Sequence, residues 1–198
     1  MRMIVFIDRQ HAGKPSKIDD RGAAVDINGD GDIASDEKEA HWTGYISLIL
    51  EQRLLQMGHK VIPISDGSYA ARHARVNDYA SRYDEPMVYL AMHLNAGGGH
   101  YGSFFYDCRS SAGKDLADHL CDGMRSTIKT IRTFKSIECK PDNWTKNAFY
   151  TIKGVGKPVA ICCEPIFMDT HMDLLNNYGA AQIALGIAHG LNKWEHKQ

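Results

Sequence analysis

Short apolar segments alternate along this chain with longer segments in which apolar residues recur every three or four positions. Short apolar runs bounded by turn residues are typical of strands, and the three- or four-residue recurrence is typical of helices. Most of the strand segments are apolar throughout, which indicates a sheet covered by helices on both faces. The predicted strands are residues 4–7, 60–64, 86–92, 102–106 and 158–163, and the predicted helices are residues 37–57, 70–81, 113–130 and 178–193.

The helix predicted over residues 37–57 has the clearest pattern. Trp42, Ile46, Leu50 and Leu54 recur at four-residue spacing, and Gly58 is a typical helix stop. Alternation of strands with helices of this kind predicts an α/β fold. We expect one three-layer domain over residues 1–198, with a mostly parallel or mixed sheet and helices on both faces.

Charge and composition exclude several classes of protein. The 23 Lys and Arg residues balance 24 Asp and Glu residues, whereas a general nucleic-acid binder needs a basic excess. No apolar run approaches the length of a membrane span, so we expect no membrane insertion. Residues 1–8 predict a strand rather than a signal peptide, which favours synthesis in the cytoplasm without a secretion signal. The five cysteines include no CxxC pair, and we expect free thiols.

Four polar residues stand where predicted strands end or a helix begins. His11 follows the first strand, Glu39 lies in the first turn of the long helix, and His93 and Glu164 directly follow two further strands. Residues just past the carboxyl ends of strands line the ligand crevice of an α/β sheet. Two histidines, one ligating carboxylate and one free carboxylate match the composition of a catalytic zinc site.

Each of these residues also has an ordinary structural interpretation. The chain has ten histidines, so one histidine near a strand end carries little information. Glu39 is also explained as a solvated acid that complements the helix dipole. An ordinary structural role explains Glu164 less well. Burying an acid directly after an apolar strand costs free energy unless the acid is paired, ligating or catalytic. The spacing alone is therefore compatible both with a metal site and with these ordinary structural roles.

The segments around these residues resemble those of the zinc-dependent N-acetylmuramoyl-L-alanine amidases found in bacterial autolysins and phage endolysins. The likeness covers nearly the whole chain in order. Arg9 and Gln10 stand where the family usually has Pro-Gly, and Ile166 replaces a glycine. The matching segments are IDRQHAG with His11, the helix from Glu39 to GHKV, MHLNA with His93, the glycine-led YGSFFY, and KPVAICCEPIFMD with Glu164.

The resemblance implies that His11, Glu39 and His93 bind zinc and that Glu164 moves protons. It further implies hydrolysis of the amide bond between N-acetylmuramic acid and L-alanine in peptidoglycan. Asn95 is a candidate for substrate contact, although a turn after the strand explains it as well. We expect a monomer that acts on the cell wall after release, as a phage or prophage endolysin or as a mother-cell lytic enzyme.

A second metal motif lies within the long polar stretch of residues 12–36. Residues 26–37 fit the calcium loop of EF-hands, with Gly31 at the sharp turn. Because no helical pattern precedes the loop, we expect a single inserted loop rather than a paired EF-hand. If Glu37 and Glu39 both lie in the first helical turn, their side chains diverge and cannot hold one ion. The predicted calcium ligands are Asp26, Asn28, Asp30, the carbonyl of Asp32, and Glu37.

Two alternative functions stay open at this point. The first is a zinc carboxypeptidase-type peptide hydrolase on a similar fold. The second is an inactive calcium-binding module that attaches to the cell wall. The products formed from peptidoglycan distinguish all three.

Overall fold

The computed structural model describes residues 2–11 and 22–197, so residues 12–21 of the predicted long loop lie outside the described residues. Strands and helices alternate through most of the chain, as the sequence predicts. The strands are β1 Ile4–Arg9, β2 Lys60–Ile64, β3 Met87–Met92, β4 Gly102–Asp107, β5 Phe134–Cys139 and β6 Val159–Glu164. The helices are α1 Glu39–Gln56, α2 Tyr69–Ala80, α3 Ser111–Thr127, α4 Lys146–Ile152 and α5 Asn177–Glu195, with short 3-10 helices at Ser35–Glu37 and Met172–Leu174.

The six strands form one mixed sheet in the order β2-β1-β3-β6-β4-β5. All neighbouring pairs are parallel except β4 and β6, which are antiparallel. β1, β3 and β6 lie side by side and run in the same direction, so their carboxyl ends open onto one edge of the sheet. The sites predicted at strand ends are therefore brought to that edge.

Helices cover both faces of the sheet, and the three-layer expectation is confirmed. Apolar residues of α1, α3 and α5 pack on one face in a core that includes Val5, Leu90 and Ile161. α2 and α4 cover the other face over a smaller core that includes Phe6 and Tyr89. Alternate residues of each central strand feed the two cores, which is why these strands are apolar throughout.

Side-chain caps account for several helix starts. The Ser68 hydroxyl accepts a hydrogen bond from Ala71 N–H at the start of α2, and Ser110 does the same for Gly113 at the start of α3. Such caps satisfy backbone donors that have no partner within the helix. α1 ends just before Gly58, whose φ of 88° suits glycine.

The structure differs from the predicted elements in two places. The sequence pattern did not predict β5 and α4, because β5 alternates buried and exposed residues only partly and α4 is short. The long helix begins at Glu39 rather than at Glu37. Lys38 has extended backbone angles and separates α1 from the preceding 3-10 helix, so Glu37 and Glu39 do not share one helical turn.

Candidate metal centre

Three separate elements bring His11, Glu39 and His93 together. His11 follows β1, Glu39 opens α1 and His93 directly follows β3. One ligand atom from each residue lies within 4.8 Å of the other two. Because β1 and β3 are parallel neighbours with Arg9 opposite Met92, the two histidines emerge side by side at the sheet edge.

The spacing of these atoms suits a small tetrahedral ion. Glu39 Oε1 lies 3.0 Å from His93 Nδ1 and 3.5 Å from His11 Nε2. Zinc bonds of about 2.0–2.1 Å in tetrahedral geometry place two ligand atoms roughly 3.3 Å apart. The donor set therefore fits zinc.

The backbone at His11 is strained. Its φ is 60°, and it is the one non-glycine residue with positive φ in residues 2–11 and 22–197. Such a conformation costs of order 1–3 kcal/mol and persists where the surrounding structure enforces it, often at functional sites. In this conformation the centroid of the His11 ring lies 5.1 Å from that of the His93 ring, and the two ring planes meet at 77°.

Hydrogen bonds hold the Glu39 carboxylate in place. Oε1 accepts from Leu94 N–H at 3.0 Å, and Oε2 accepts from Ala23 N–H at 2.9 Å. Burial alone would raise the pKa of Glu39, but the hydrogen bond from His93 and the charges of His93 and His11 outweigh it and lower that pKa. Glu39 is thus kept as a carboxylate, the form that ligates a metal.

Glu164 lies in the same cavity as the three ligand candidates. The cavity has a volume of about 370 Å³ and opens at the sheet edge. Burial raises the pKa of the Glu164 carboxyl to about 7, with His93 lowering it and Glu39 raising it. A carboxyl with that pKa exchanges protons readily near neutral pH. The cavity lining comprises His11, Glu39, Tyr69, His93, Leu94, Asn147, Ala148, Tyr150, Thr151, Cys162 and Glu164.

One wall of this cavity was missed by the sequence analysis. Asn147, Tyr150 and Thr151 belong to α4, which was not predicted, and Tyr69 opens α2. Tyr150 is an exposed large side chain, but its exposure is known only from the structure, so the sequence offered no signal for this segment.

Cys162 is not a competing ligand, although it also lines the cavity. Its sulfur is not part of the group of ligand atoms within 4.8 Å of one another, which in the described ranges belong to His11, Glu39 and His93. The expectation of free cysteines is met for all five: Cys108, Cys121, Cys139, Cys162 and Cys163.

Asn95 lies beside Glu164. Its Nδ2 donates a hydrogen bond to Glu164 Oε2, and its Oδ1 accepts one from Ala96 N–H at 2.8 Å. The second contact forms the turn that was the alternative interpretation of this residue. Contact between Asn95 and a substrate stays a prediction.

The predicted calcium loop lies next to the metal centre along the chain. Asp26 accepts hydrogen bonds from Gly29 and Gly31, and both glycines have positive φ. Glu37 is buried, with Oε1 accepting from Ile27 N–H at 2.7 Å. Within the described ranges, His11, Glu39 and His93 are the one group of three or more His, Cys, Asp or Glu side chains with ligand atoms this close together. Calcium binding by Asp26, Asn28, Asp30, Asp32 and Glu37 stays a prediction.

No helix of residues 2–11 and 22–197 combines the length and apolar character needed to cross a membrane.

Comparison with solved structures identifies the fold. The N-acetylmuramoyl-L-alanine amidase AmiC2 of Nostoc punctiforme is 20% identical with a TM-score of 0.70, over 98% of this chain and 97% of that chain. An N-acetylmuramoyl-L-alanine amidase from Clostridium difficile 630 is 21% identical with a TM-score of 0.70, over 100% of this chain and 98% of that chain. The catalytic domain of the CD27L endolysin, which targets Clostridia difficile, is 21% identical with a TM-score of 0.62, over 98% of each chain.

These similarities extend over nearly the whole of both chains, so the fold of this protein is that of the N-acetylmuramoyl-L-alanine amidases. No protein-family model matches the chain, and no curated protein sequence matches it.

Proposed function

We propose that this protein is a zinc-dependent N-acetylmuramoyl-L-alanine amidase, which hydrolyses the amide bond between N-acetylmuramic acid and L-alanine in peptidoglycan. One observation carries the proposal. The His11, Glu39 and His93 cluster shares a cavity with Glu164, in a chain whose fold is that of the amidases.

In this proposal His11, Glu39 and His93 hold the zinc ion and leave a position open in the cavity. Zinc bound there supplies Lewis acidity, which polarises a carbonyl and makes a water molecule more acidic. The hydrogen bonds from Ala23 and Leu94 to Glu39 orient this carboxylate before any ion binds. Partners of this kind raise both metal affinity and the precision of a site.

Glu164 performs the proton transfer. It accepts a proton from the attacking water as the new carbon–oxygen bond forms, and it delivers that proton to the L-alanine nitrogen as the carbon–nitrogen bond breaks. An amine leaves an amide readily only once it is protonated. One residue that takes the proton from water and passes it to the nitrogen therefore completes the reaction. Its pKa of about 7 suits both transfers.

Mass spectrometry of digested peptidoglycan tests the proposal. An amidase releases intact stem peptides with a new L-alanine amino terminus and leaves lactyl groups on the glycan. A carboxypeptidase would shorten stem peptides at their carboxyl ends, and an inactive wall-binding protein would release nothing. Either of these outcomes would replace the proposed reaction.

The biological role within this proposal is a lytic enzyme, either a phage or prophage endolysin or a mother-cell enzyme. The support is the match to the CD27L catalytic domain, which spans nearly all of both chains. We expect a monomer, which light scattering of the purified protein checks. A fall in the turbidity of purified cell walls would report the lytic activity directly.

Calcium binding by the loop of residues 26–37 is the second part of the proposal. Every position that the EF-hand pattern constrains is occupied by a suitable residue. The turn at Gly29 and Gly31, with both backbone amides on Asp26, is compatible with such a loop. Calcium would act as a structural ion, since Glu37 faces the loop while Glu39 faces the histidines.

A further inference from the structure

Glu164 lies where the pairing of two strands becomes irregular. Met92 of β3 pairs with Cys163 of β6, and the next bridge beyond the strand ends joins Asn95 to Phe167. The chain advances three residues on the β3 side and four on the β6 side between these pairs, so the β6 side holds one extra residue. An extra residue of this kind re-aims a side chain and is frequent beside active sites. The side chain affected here is Glu164, at the last position of β6.

The backbone of Asn95 is fixed against this irregular segment. Asn95 N–H donates to Ile166 O at 2.9 Å, and Asn95 O accepts from Met168 N–H at 2.8 Å. Further along, the Asp169 carboxylate accepts from Gly97 and Gly98 N–H at 2.9 and 2.7 Å. The segment after His93 and the segment after Glu164 are thus joined at several points, which sets the distance between Asn95 and Glu164.

The Asn95 side chain presents a donor to Glu164. Ala96 N–H is a backbone donor, so its partner on the Asn95 amide must be the oxygen. The amide nitrogen therefore faces Glu164 Oε2 and donates to it. In the described part of the chain this is the one hydrogen bond to the Glu164 carboxyl. Oε1 is left as the oxygen that can carry a proton.

We propose that Asn95 is a positioning residue, which holds Oε2 of Glu164 so that Oε1 transfers the proton. This inference rests on the proposed function for the reaction, but the contact itself does not. A carboxyl at the end of a strand with one oxygen held cannot rotate freely. Fixed orientation of a proton-carrying group is one of the main sources of its efficiency.

Asn95→Asp is the sharpest variant. Aspartate keeps an oxygen for Ala96 N–H, so the turn is retained, but an ionised carboxylate cannot donate to Glu164 and places a like charge beside it. We expect kcat to fall about 10- to 100-fold, as for loss of a hydrogen bond to a charged group, with KM within about twofold and zinc content unchanged. Asn95→Gln, which keeps the donor on a longer side chain, should recover part of the loss.

Asn77→Asp is the matched control. Asn77 also uses both ends of its amide, donating to Gly154 O at 2.8 Å and accepting from Gly156 N–H at 2.8 Å, but it contacts no carboxyl. The Asn77→Asp variant should lose about as much stability as Asn95→Asp does, and its kcat should stay that of the wild type. Unchanged kcat in Asn95→Asp would overturn the inference. A raised KM with unchanged kcat would also overturn it, in favour of direct substrate contact.

A measurement that needs neither activity nor metal separates this inference from the proposed function. In NMR spectra of the metal-free protein, the Asn95 side-chain amide signals, identified by their absence in Asn95→Asp, should exchange slowly with solvent. Glu164→Ala should accelerate that exchange and leave the Asn77 signals unchanged. If Glu164→Ala left the exchange rate of the Asn95 amide unchanged, the hydrogen bond between Asn95 and Glu164 would be refuted. A wild-type protein that retains the contact but releases no peptide would overturn the proposed function and, with it, the role in proton transfer.

Discussion

Glu37 and Glu39 are two residues apart, and their buried carboxylates face different sites. Glu37 accepts hydrogen bonds within the 26–37 loop, from Ile27 N–H at 2.7 Å and Ala34 N–H at 2.7 Å. Glu39 faces His93 instead, at 3.0 Å. The extended backbone of Lys38 turns the two side chains apart. The predicted calcium loop and the candidate zinc centre are therefore adjacent along the chain but chemically separate.

This arrangement predicts that calcium affects stability rather than chemistry. Asp26→Ala combined with Asp30→Ala should lower the melting temperature in millimolar calcium and abolish its calcium dependence, with some zinc-dependent activity left. Calcium at 100 times its dissociation constant would stabilise the wild type by about 2.7 kcal/mol. Thermal melts of zinc-loaded protein with and without calcium measure this.

Asp32→Ala is the control for the calcium prediction. The loop pattern assigns only the carbonyl of Asp32 to the ion, so this variant should keep the calcium response. A wild-type melting temperature that calcium does not change, with no binding heat in calorimetry, would show that the loop is a polar turn alone.

The zinc centre predicts a metal content of about one ion per chain. His11→Ala and His93→Ala should each lose the ion and wall lysis together, because two protein ligands hold zinc far more weakly than three. His189→Ala, an exposed histidine on α5, should keep both. Elemental analysis of the purified variants measures zinc, and full activity in His11→Ala would contradict the assignment.

The two glutamates of the cavity should behave differently. Glu164→Gln should retain zinc and lose activity by about 10²–10⁴-fold, the usual contribution of a general acid–base group. Glu39→Gln should lose zinc, because an amide is a poor substitute for a ligating carboxylate. Turnover and zinc content of the two variants are compared side by side. If Glu164→Gln lost its zinc and excess zinc restored its activity, the two roles would be exchanged.

The raised pKa of Glu164 also predicts how the stability of metal-free protein changes with pH. The folded carboxyl keeps its proton up to about pH 7, whereas the unfolded one loses it near its ordinary pKa of 4.5. The folded state therefore binds more protons between these values, and its stability falls as pH rises through them. Glu164→Gln removes this loss, so the variant should gain stability relative to wild type from about pH 4.5 to about pH 7. Urea unfolding with a chelator present measures the difference, and a difference independent of pH would contradict the raised pKa.

A buried ion pair below the site predicts a large effect on stability. Arg72 donates to Asp8 at 2.7 Å, both side chains are fully buried, and Tyr89 also donates to Asp8. Burial raises the pKa of Asp8, and Arg72 and Tyr89 oppose that rise. Arg72→Ala should destabilise the protein by about 3–5 kcal/mol, because it leaves a buried carboxylate without its charge partner.

Arg75→Ala is the matched control on the same helix. Arg75 pairs with Asp66 at 3.6 Å, and the two side chains are 48% and 68% exposed. Exposed pairs of this kind contribute about 0–1 kcal/mol. Equal losses in urea unfolding of the two variants would mean that the Asp8 pair adds nothing beyond a surface ion pair.

Local patterns along the chain were sufficient for most of the fold. The apolar strands 4–7, 86–92 and 158–163 were predicted within a few residues of β1, β3 and β6, because a strand buried on both faces is apolar at every position. The polar residues that follow these strands are equally local features. His11, His93 and Glu164 are therefore recognisable as candidates in the sequence alone.

Long-range contacts decided the rest. α4 is too short for a helical period, and it becomes a wall of the cavity only because it packs against the central strands through Ala148, Phe149 and Ile152. The hydrogen bond between Asn95 and Glu164 joins residues 69 positions apart and depends on the irregular pairing beyond β3 and β6. The low pKa of Glu39 and the high pKa of Glu164 arise in one cavity from different neighbours. Residue types select what a site can bind, but the packing of distant segments sets which carboxyl is held charged and which one carries a proton.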